Sequence, residues 1–237
     1  MSKILSAVQK SSGQTLDFTR RLKALDSGAT FPQLNDSQVR EFEQLATTLL
    51  KYHDNKGGKT VVFTSTYPKE GTSFVSYHCA QVMAALLDKK VSWIDGNFMS
   101  PQRNIKSQDL NLRDLLVNPE DVLDLDDDPG LVMIPNGTAS VKAMDLINGP
   151  KYPRLLELLQ QKFFFNFIDS PSVLQGLEVF GLAQHTLGVV LVVQSRKLKY
   201  EVIYHGIDKL RENGVQILGT VLNRRTYQLP EFFYKRF

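Results

Sequence analysis

The stretch "VVFTSTYPKEGTSFVSYHCAQVM", Val61 to Met83, decides the fold. It opens on the β-rich run Thr60–Thr66. It passes through a turn holding Pro68 and Gly71, then becomes a helix with Val75, Cys79, Val82, Met83 and Leu86 along one stripe. Strand, glycine-bearing turn and a helix opened by a hydroxyl residue is the layout of a nucleotide phosphate loop. There the backbone N–H groups at a helix N-terminus cradle phosphate oxygens. Such a loop places a lysine immediately before the Ser/Thr that binds magnesium. This chain has Thr72 there, followed by Ser73.

Downstream, strands and helices alternate. "KVSWID", "LVMIPNG", "FFFNFIDS", "GVVLVVQS" and "VQILGTVLNR" read as strands. "NLRDLLV", "YPRLLELLQQK" and "YEVIYHGIDKLRENG" read as helices, the last with Gly214 as its stop. The nearly continuous apolar runs are those of parallel strands covered on both faces. The pattern predicts an α/β fold, a doubly wound and mostly parallel sheet with helices on both faces. Upstream, "NDSQVREFEQLATTLLKY" predicts a helix over 36–52, with Asp36 as N-cap and Val39, Phe42, Leu45, Ala46, Leu49 and Leu50 on one face. The expected organisation is a mobile basic arm over 1–35, with a short helix near Leu16 to Leu25. The α/β domain follows over 36–224, and an aromatic and basic tail over 225–237.

The 237 residues suffice for one such domain, and 42% apolar with 22% charged residues is ordinary for a soluble globular protein. One cysteine excludes an intramolecular disulfide framework, and no apolar run is long enough to cross a bilayer, so a cytoplasmic protein is expected. A net charge of +3 does not argue for nucleic acid. Both termini are basic, which suits an acidic partner or an anionic membrane face as well as plain solvation. His53, His78, His185 and His205 are scattered without ligand spacing, so no zinc is expected. "DLDDDPG", Asp124 to Gly130, lacks the glycine and glutamate of a calcium loop and reads as a solvated acidic loop.

Ligands of doubly wound sheets bind at the carboxyl ends of the strands. Three such ends carry chemistry: "STYPKEGTS", "WIDGN" with Asp95 and Asn97, and "FIDSPS" with Asp169. In phosphate-loop proteins these are the places of the phosphate cradle, a second acidic motif and the magnesium-orienting aspartate. The nucleotide-site candidates are therefore Lys69, Glu70, Gly71, Thr72, Ser73 and Phe74. Ser73, Asp95 and Asp169 are candidates for magnesium, and Asp95, Asn97 and Asp169 for catalysis.

"FTSTYPKEGTSF", "VSWIDGNFMSP", "FFNFIDSPS" and "ILGTVLNRR", in that order, resemble the cytoplasmic domain of the bacterial tyrosine kinases, within the wider MinD/ParA-like class. The resemblance runs from about Asp36 to Arg224. It implies ATP or ADP with magnesium as cofactors, and a role beside polysaccharide chain-length and export machinery. It also implies a membrane-anchored chain-length (co-polymerase) partner at the inner face of the membrane, homo-oligomers, and tail tyrosines as phospho-acceptors, here Tyr227 and Tyr234.

The departures from that family fall on its chemistry. Thr72 stands where its lysine puts positive charge on the β- and γ-phosphates. Lys69 stands where it has glycine, a position that strains any side chain if φ is positive. Asn97 replaces the second carboxylate of Asp-x-Asp, and an amide neither takes a proton nor binds magnesium well. Tyr67 stands where the MinD/ParA class has its variant lysine. The family's Glu-x-x-Arg-x-x-Arg signature falls on Arg40, Glu43 and Ala46 and is absent. The expectation is a regulatory or scaffolding relative. Two alternatives remain: an active tyrosine autokinase with Lys69 as substitute charge, and a MinD/ParA-like nucleotide-dependent positioning switch.

Overall fold

A computed structural model describes residues 15–25, 31–56, 59–98, 110–125, 127–137 and 143–225. Six strands form one sheet: β1 (Thr60–Ser65), β2 (Lys90–Asp95), β3 (Gly130–Ile134), β4 (Phe165–Asp169), β5 (Gly188–Gln194) and β6 (Ile217–Asn223). Their order is β3-β2-β4-β1-β5-β6 and every pairing is parallel. The expected α/β architecture is therefore what forms. Because each crossover returns the chain to the same end of the sheet, the ends of β1, β2 and β4 stand side by side, with β1 and β2 flanking β4.

The period-two alternation of strand side chains sorts the core into two layers. Val61, Phe63, Val91, Trp93, Phe165 and Phe167 face one layer, where α1 (Thr15–Ala24), α2 (Asp36–Lys56) and α3 (Thr72–Leu87) pack. Val62, Ile94, Ile134, Ile168 and Leu191 face the other. That side is covered by α4 (Leu112–Val117), α5 (Ala143–Ile147), α6 (Lys151–Lys162), α7 (Glu178–Ala183) and α8 (Tyr200–Glu212). Burial on both faces explains why the strands read as continuous apolar runs.

Two helix ends refine the sequence reading. The N-cap of α2 is Asn35, not Asp36. The Asn35 carboxamide oxygen accepts from the N–H groups of Ser37 and Gln38, while Gln38 accepts from the Asn35 N–H, a reciprocal capping box. At the end of α8, Gly214 takes a left-handed φ of 70°, and the Val215 N–H reaches the Leu210 carbonyl, as a Schellman stop requires.

Within the segment expected to be a mobile arm, the helix near Leu16–Leu25 forms as α1 and packs against α3. Arg21 bridges Asp17 at 3.0 Å and Asp88 at 3.2 Å. This extra cover buries α3 almost all round rather than along one stripe. Its interior polar groups are consequently paired: His78 with Gln81 at 2.9 Å, and Ser76 with the Trp93 indole N–H at 2.9 Å. Cys79 is fully buried, and burial pushes its thiol far above the ordinary range, so it is a packing residue.

Candidate functional site

After β1 the chain turns through Thr66–Gly71 and enters α3 at Thr72. Glu70 fixes the shape of this turn. It is wholly buried, and its carboxylate accepts the N–H groups of Tyr67 at 3.1 Å and Gln194 at 3.3 Å. The Ser65 hydroxyl donates to the Tyr67 carbonyl, and the Asn223 carboxamide donates to the Glu70 carbonyl at 2.8 Å. Lys197 donates to the Pro68 carbonyl. The ends of β5 and β6 thus clamp the loop from one side.

Two loop residues adopt left-handed backbone, Lys69 at φ 65° and Gly71 at φ 94°. A Cβ on Gly71 would lie 2.1 Å from the Asn223 amide nitrogen, so any other residue would be strained by φ and would push the Asn223 carboxamide aside. Lys69 pays a conformational penalty of about 1 kcal/mol at a position that suits glycine. Gly71 caps α3 with no side-chain hydrogen bond. No cap side chain therefore competes for the N–H groups of the first turn, where the helix dipole is positive and favours an anion.

The other two strand ends meet this loop. Asp95 and Asp169 are register partners on β2 and β4, exposed by 0% and 1%. The Asp95 carboxylate accepts the Asn97 N–H at 3.0 Å, and the Gly96 N–H donates to the Asp169 carbonyl at 2.7 Å. Burial, and then the neighbouring Asp95 charge, hold the Asp169 carboxyl well above its ordinary pKa. Only the Ser73 hydroxyl, donating toward it, opposes that shift; neither Asp169 oxygen has a partner at strict hydrogen-bond geometry.

A cleft of about 1250 Å³ runs over these elements. Lys69, Gly71, Thr72, Ser73, Phe74 and Asn97 line it, so most of the sequence candidates converge on one surface. Asp95 and Asp169 lie buried just behind Asn97 and Ser170 of the same wall. Glu70 is the exception: its side chain points into the protein as a brace, leaving only its backbone to meet a phosphate. Phe74 packs edge-on to His78, with centroids 4.4 Å apart, and forms the apolar side of the cleft toward α2. Tyr227 and Tyr234 lie outside the described residues. Sequence reasoning did not single out Asn223 and Gln194, the residues that grip the loop. Their signal was only their place at the ends of β6 and β5.

The residues present fit magnesium in part. Two buried carboxylates and the Ser73 hydroxyl form a hard oxygen set, and the two Asp169 oxygens lack strong partners. Among the described residues no group of three His, Cys, Asp or Glu side chains could hold a metal alone. A magnesium ion that keeps waters and phosphate oxygens suits such a sparse set. For a nucleotide the loop's shape fits, but no lysine precedes Ser73.

No family model matches the chain. The tyrosine-protein kinase ptk of Acinetobacter johnsonii is 23% identical over 196 residues, and the putative tyrosine-protein kinase EpsB of Ralstonia nicotianae is 27% identical over 195. Each match covers 80% of this chain. The VpsO kinase domain superposes with a TM-score of 0.67 at 27% identity, over 81% of this chain and 98% of that one. The chain is a relative of the bacterial tyrosine kinases. It spans about a quarter (26%) of the length of those two curated relatives. The MinC:MinD complex of Aquifex aeolicus follows at a TM-score of 0.56 and 16% identity, which places the kinase fold within the broader phosphate-loop architecture. Among the described residues no helix is long and apolar enough to cross a membrane.

Proposed function

We propose that this chain is a kinase-like domain whose phosphate loop retains its form without its phosphoryl-transfer chemistry, and that it regulates or scaffolds exopolysaccharide synthesis or export. The observation that carries the reading is Thr72 in an otherwise well-formed cradle. The loop has its left-handed glycine, its uncapped helix N-terminus and its buried brace, yet a hydroxyl stands where charge on the β- and γ-phosphates is needed. Asn97 on the cleft wall supports the same reading, since an amide cannot act as a base. ATP or ADP with magnesium binds weakly here, held by the backbone of residues 70–73 with Ser73, Asp95 and Asp169 around the ion.

In this reading residues 36–224 form the functional domain, with α1 and Phe31 of the preceding segment 1–35 packed against it and 225–237 as a tail. The domain sits at the inner face of the membrane through a membrane-anchored chain-length co-polymerase, and nucleic acid is not a partner. The relatives' names support the kinase lineage.

Calorimetric titration with Mg-ATP tests the proposal on the natural chain, Thr72→Lys and Asp169→Ala. Weak binding by the natural chain and at least about tenfold tighter binding by Thr72→Lys is expected, the worth of one well-placed charge-assisted contact. Tight binding by the natural chain, abolished in Asp169→Ala, would sink the impaired-site reading.

A second reading has one observation in its favour: Lys69 is exposed and lines the cleft, where its ammonium could substitute for the missing lysine. Phosphotyrosine formed by the natural chain on incubation with ATP, and lost in Tyr227→Phe/Tyr234→Phe, would establish an active autokinase.

A further inference from the structure

Large apolar side chains are exposed at only a few described positions, and four of them gather at one place. Tyr67 is 50% exposed, Leu177 68%, Tyr200 64% and Tyr204 43%. Tyr67 lies in the loop after β1, Leu177 in the connection after β4, and Tyr200 and Tyr204 on the first turns of α8. Specific contacts hold these segments together. Lys197 donates to the Pro68 carbonyl, and the Leu174 N–H donates to the Thr66 carbonyl at 3.2 Å. Gly206 of α8 packs so closely on Thr66 that a Cβ would lie 2.9 Å from its methyl group. The Tyr200 and Tyr204 rings lie against each other with centroids 4.1 Å apart. None of the four lines the nucleotide cleft, so they form a rim outside it.

The charge on this rim has one dominant sign. Arg196, Lys197 and Lys199 are exposed in the β5–α8 connection, Lys69 stands between this rim and the cleft that it lines, and Glu201 is the one exposed carboxylate among residues 67–71 and 195–204. The partner of Lys197 is a neutral carbonyl, so its positive charge is undiminished. Tyrosine has an apolar ring and a polar tip, which suits the level of lipid headgroups. Lysine and arginine beside it are attracted to an anionic leaflet.

We infer that this rim, the loop after β1 with the β5–α8 connection and the start of α8, docks the domain on an anionic membrane surface. Tyrosine rings enter the headgroup layer while the flanking cations meet lipid phosphates. The inference does not depend on whether the phosphate loop binds nucleotide. It gives the domain a direct hold on the membrane in addition to any protein anchor.

Cosedimentation of the full chain with vesicles tests it. The arms are phosphatidylcholine alone, phosphatidylcholine with phosphatidylglycerol, and the latter at raised salt. The expected result is binding only to the anionic vesicles, weakened by salt. Lys197→Glu/Lys199→Glu should lower that binding about tenfold or more, and Tyr200→Ser/Tyr204→Ser should lower it with the charges intact. Lys51→Glu/Lys89→Glu, exposed residues away from the rim carrying the same change in net charge, should leave it near the natural level. Circular dichroism melts confirm that each variant is folded. The inference is overturned if the natural chain ignores anionic vesicles, or if the rim and control variants lose binding equally or not at all. It is overturned too if the rim variants abolish self-association of the free protein instead, which would assign the surface to a second copy of this chain.

Discussion

Asp95 and Asp169 face each other as register partners at the ends of two adjacent strands, both excluded from water. Two carboxylates in that position repel, and burial and Asp95 both raise the Asp169 pKa. The unfolded chain releases that proton near 3.8, the folded chain at a higher pH. Across that window the folded state holds more protons than the unfolded one, so stability falls as pH rises and the cost stays in place above it. Asp169→Asn removes the ionisation. Its melting temperature should exceed that of the natural chain by several degrees at neutral pH, with the gap closing toward pH 4. Thermal melts across that range check it. Magnesium should raise the melting temperature of the natural chain and leave the variant unmoved. A variant less stable at every pH would show that the carboxylate is doing something other than repelling Asp95.

Glu70 shows how the loop keeps its form. Its buried carboxylate holds two backbone N–H groups from separate segments, Tyr67 and Gln194. Glu70→Ala leaves both part-buried N–H groups without their acceptor and should cost about 2 kcal/mol. Glu70→Gln keeps one acceptor oxygen and should cost about half as much. Denaturant melts give the energies. Hydrogen exchange should show the Tyr67 and Gln194 amides losing protection in Glu70→Ala ahead of the central strands.

Gly71→Ala combines two penalties. A side chain at φ 94° is strained by about 1 kcal/mol. Its Cβ would also fall 2.1 Å from the Asn223 carboxamide and displace it from the Glu70 carbonyl, a further 1 kcal/mol or so. The second part vanishes once Asn223 is gone. The double variant Gly71→Ala/Asn223→Ala should therefore be less destabilised than the sum of the two single variants, as a double-mutant cycle in urea reads directly.

Sequence pattern carried the sheet because burial on both faces writes itself as long apolar runs, and Phe165–Asp169 and Gly188–Gln194 sit where those runs predict. It carried the site as far as strand ends, since Ser73, Asp95 and Asp169 owe their meeting to strand order alone. What stayed hidden depends on contacts between distant segments. The grip of Asn223 on a loop 153 residues away has no local signature. Nor does the inward turn of Glu70, which in sequence is one more charged residue in a polar turn. Asp36 and Asn35 are both good caps by residue type, and only the Gln38 partnership selects Asn35. The short α5 and α7 lie in stretches whose periodicity is too brief to register.

Lys69 separates the two readings of the site. It holds a left-handed φ of 65° in the loop and its side chain lines the cleft. Glycine at that position relieves the backbone, so Lys69→Gly should stabilise the fold by about 0.5–1 kcal/mol. Strain held at a loop position raises the question of whether the side chain there is in use. If the loop has lost its chemistry, Lys69→Gly gains stability and its Mg-ATP affinity stays within about twofold of the natural chain. If Lys69 has taken over the missing charge, the same variant gains stability but loses affinity about tenfold or more, the worth of a charge-assisted contact to phosphate. Lys69→Gly/Thr72→Lys then supplies the control. Tight binding there shows that the cradle itself is sound, so any loss in the single variant belongs to the lysine. Melting curves and nucleotide titration on these three proteins decide whether the strain at Lys69 is a relic of a decayed loop or the cost of a relocated charge.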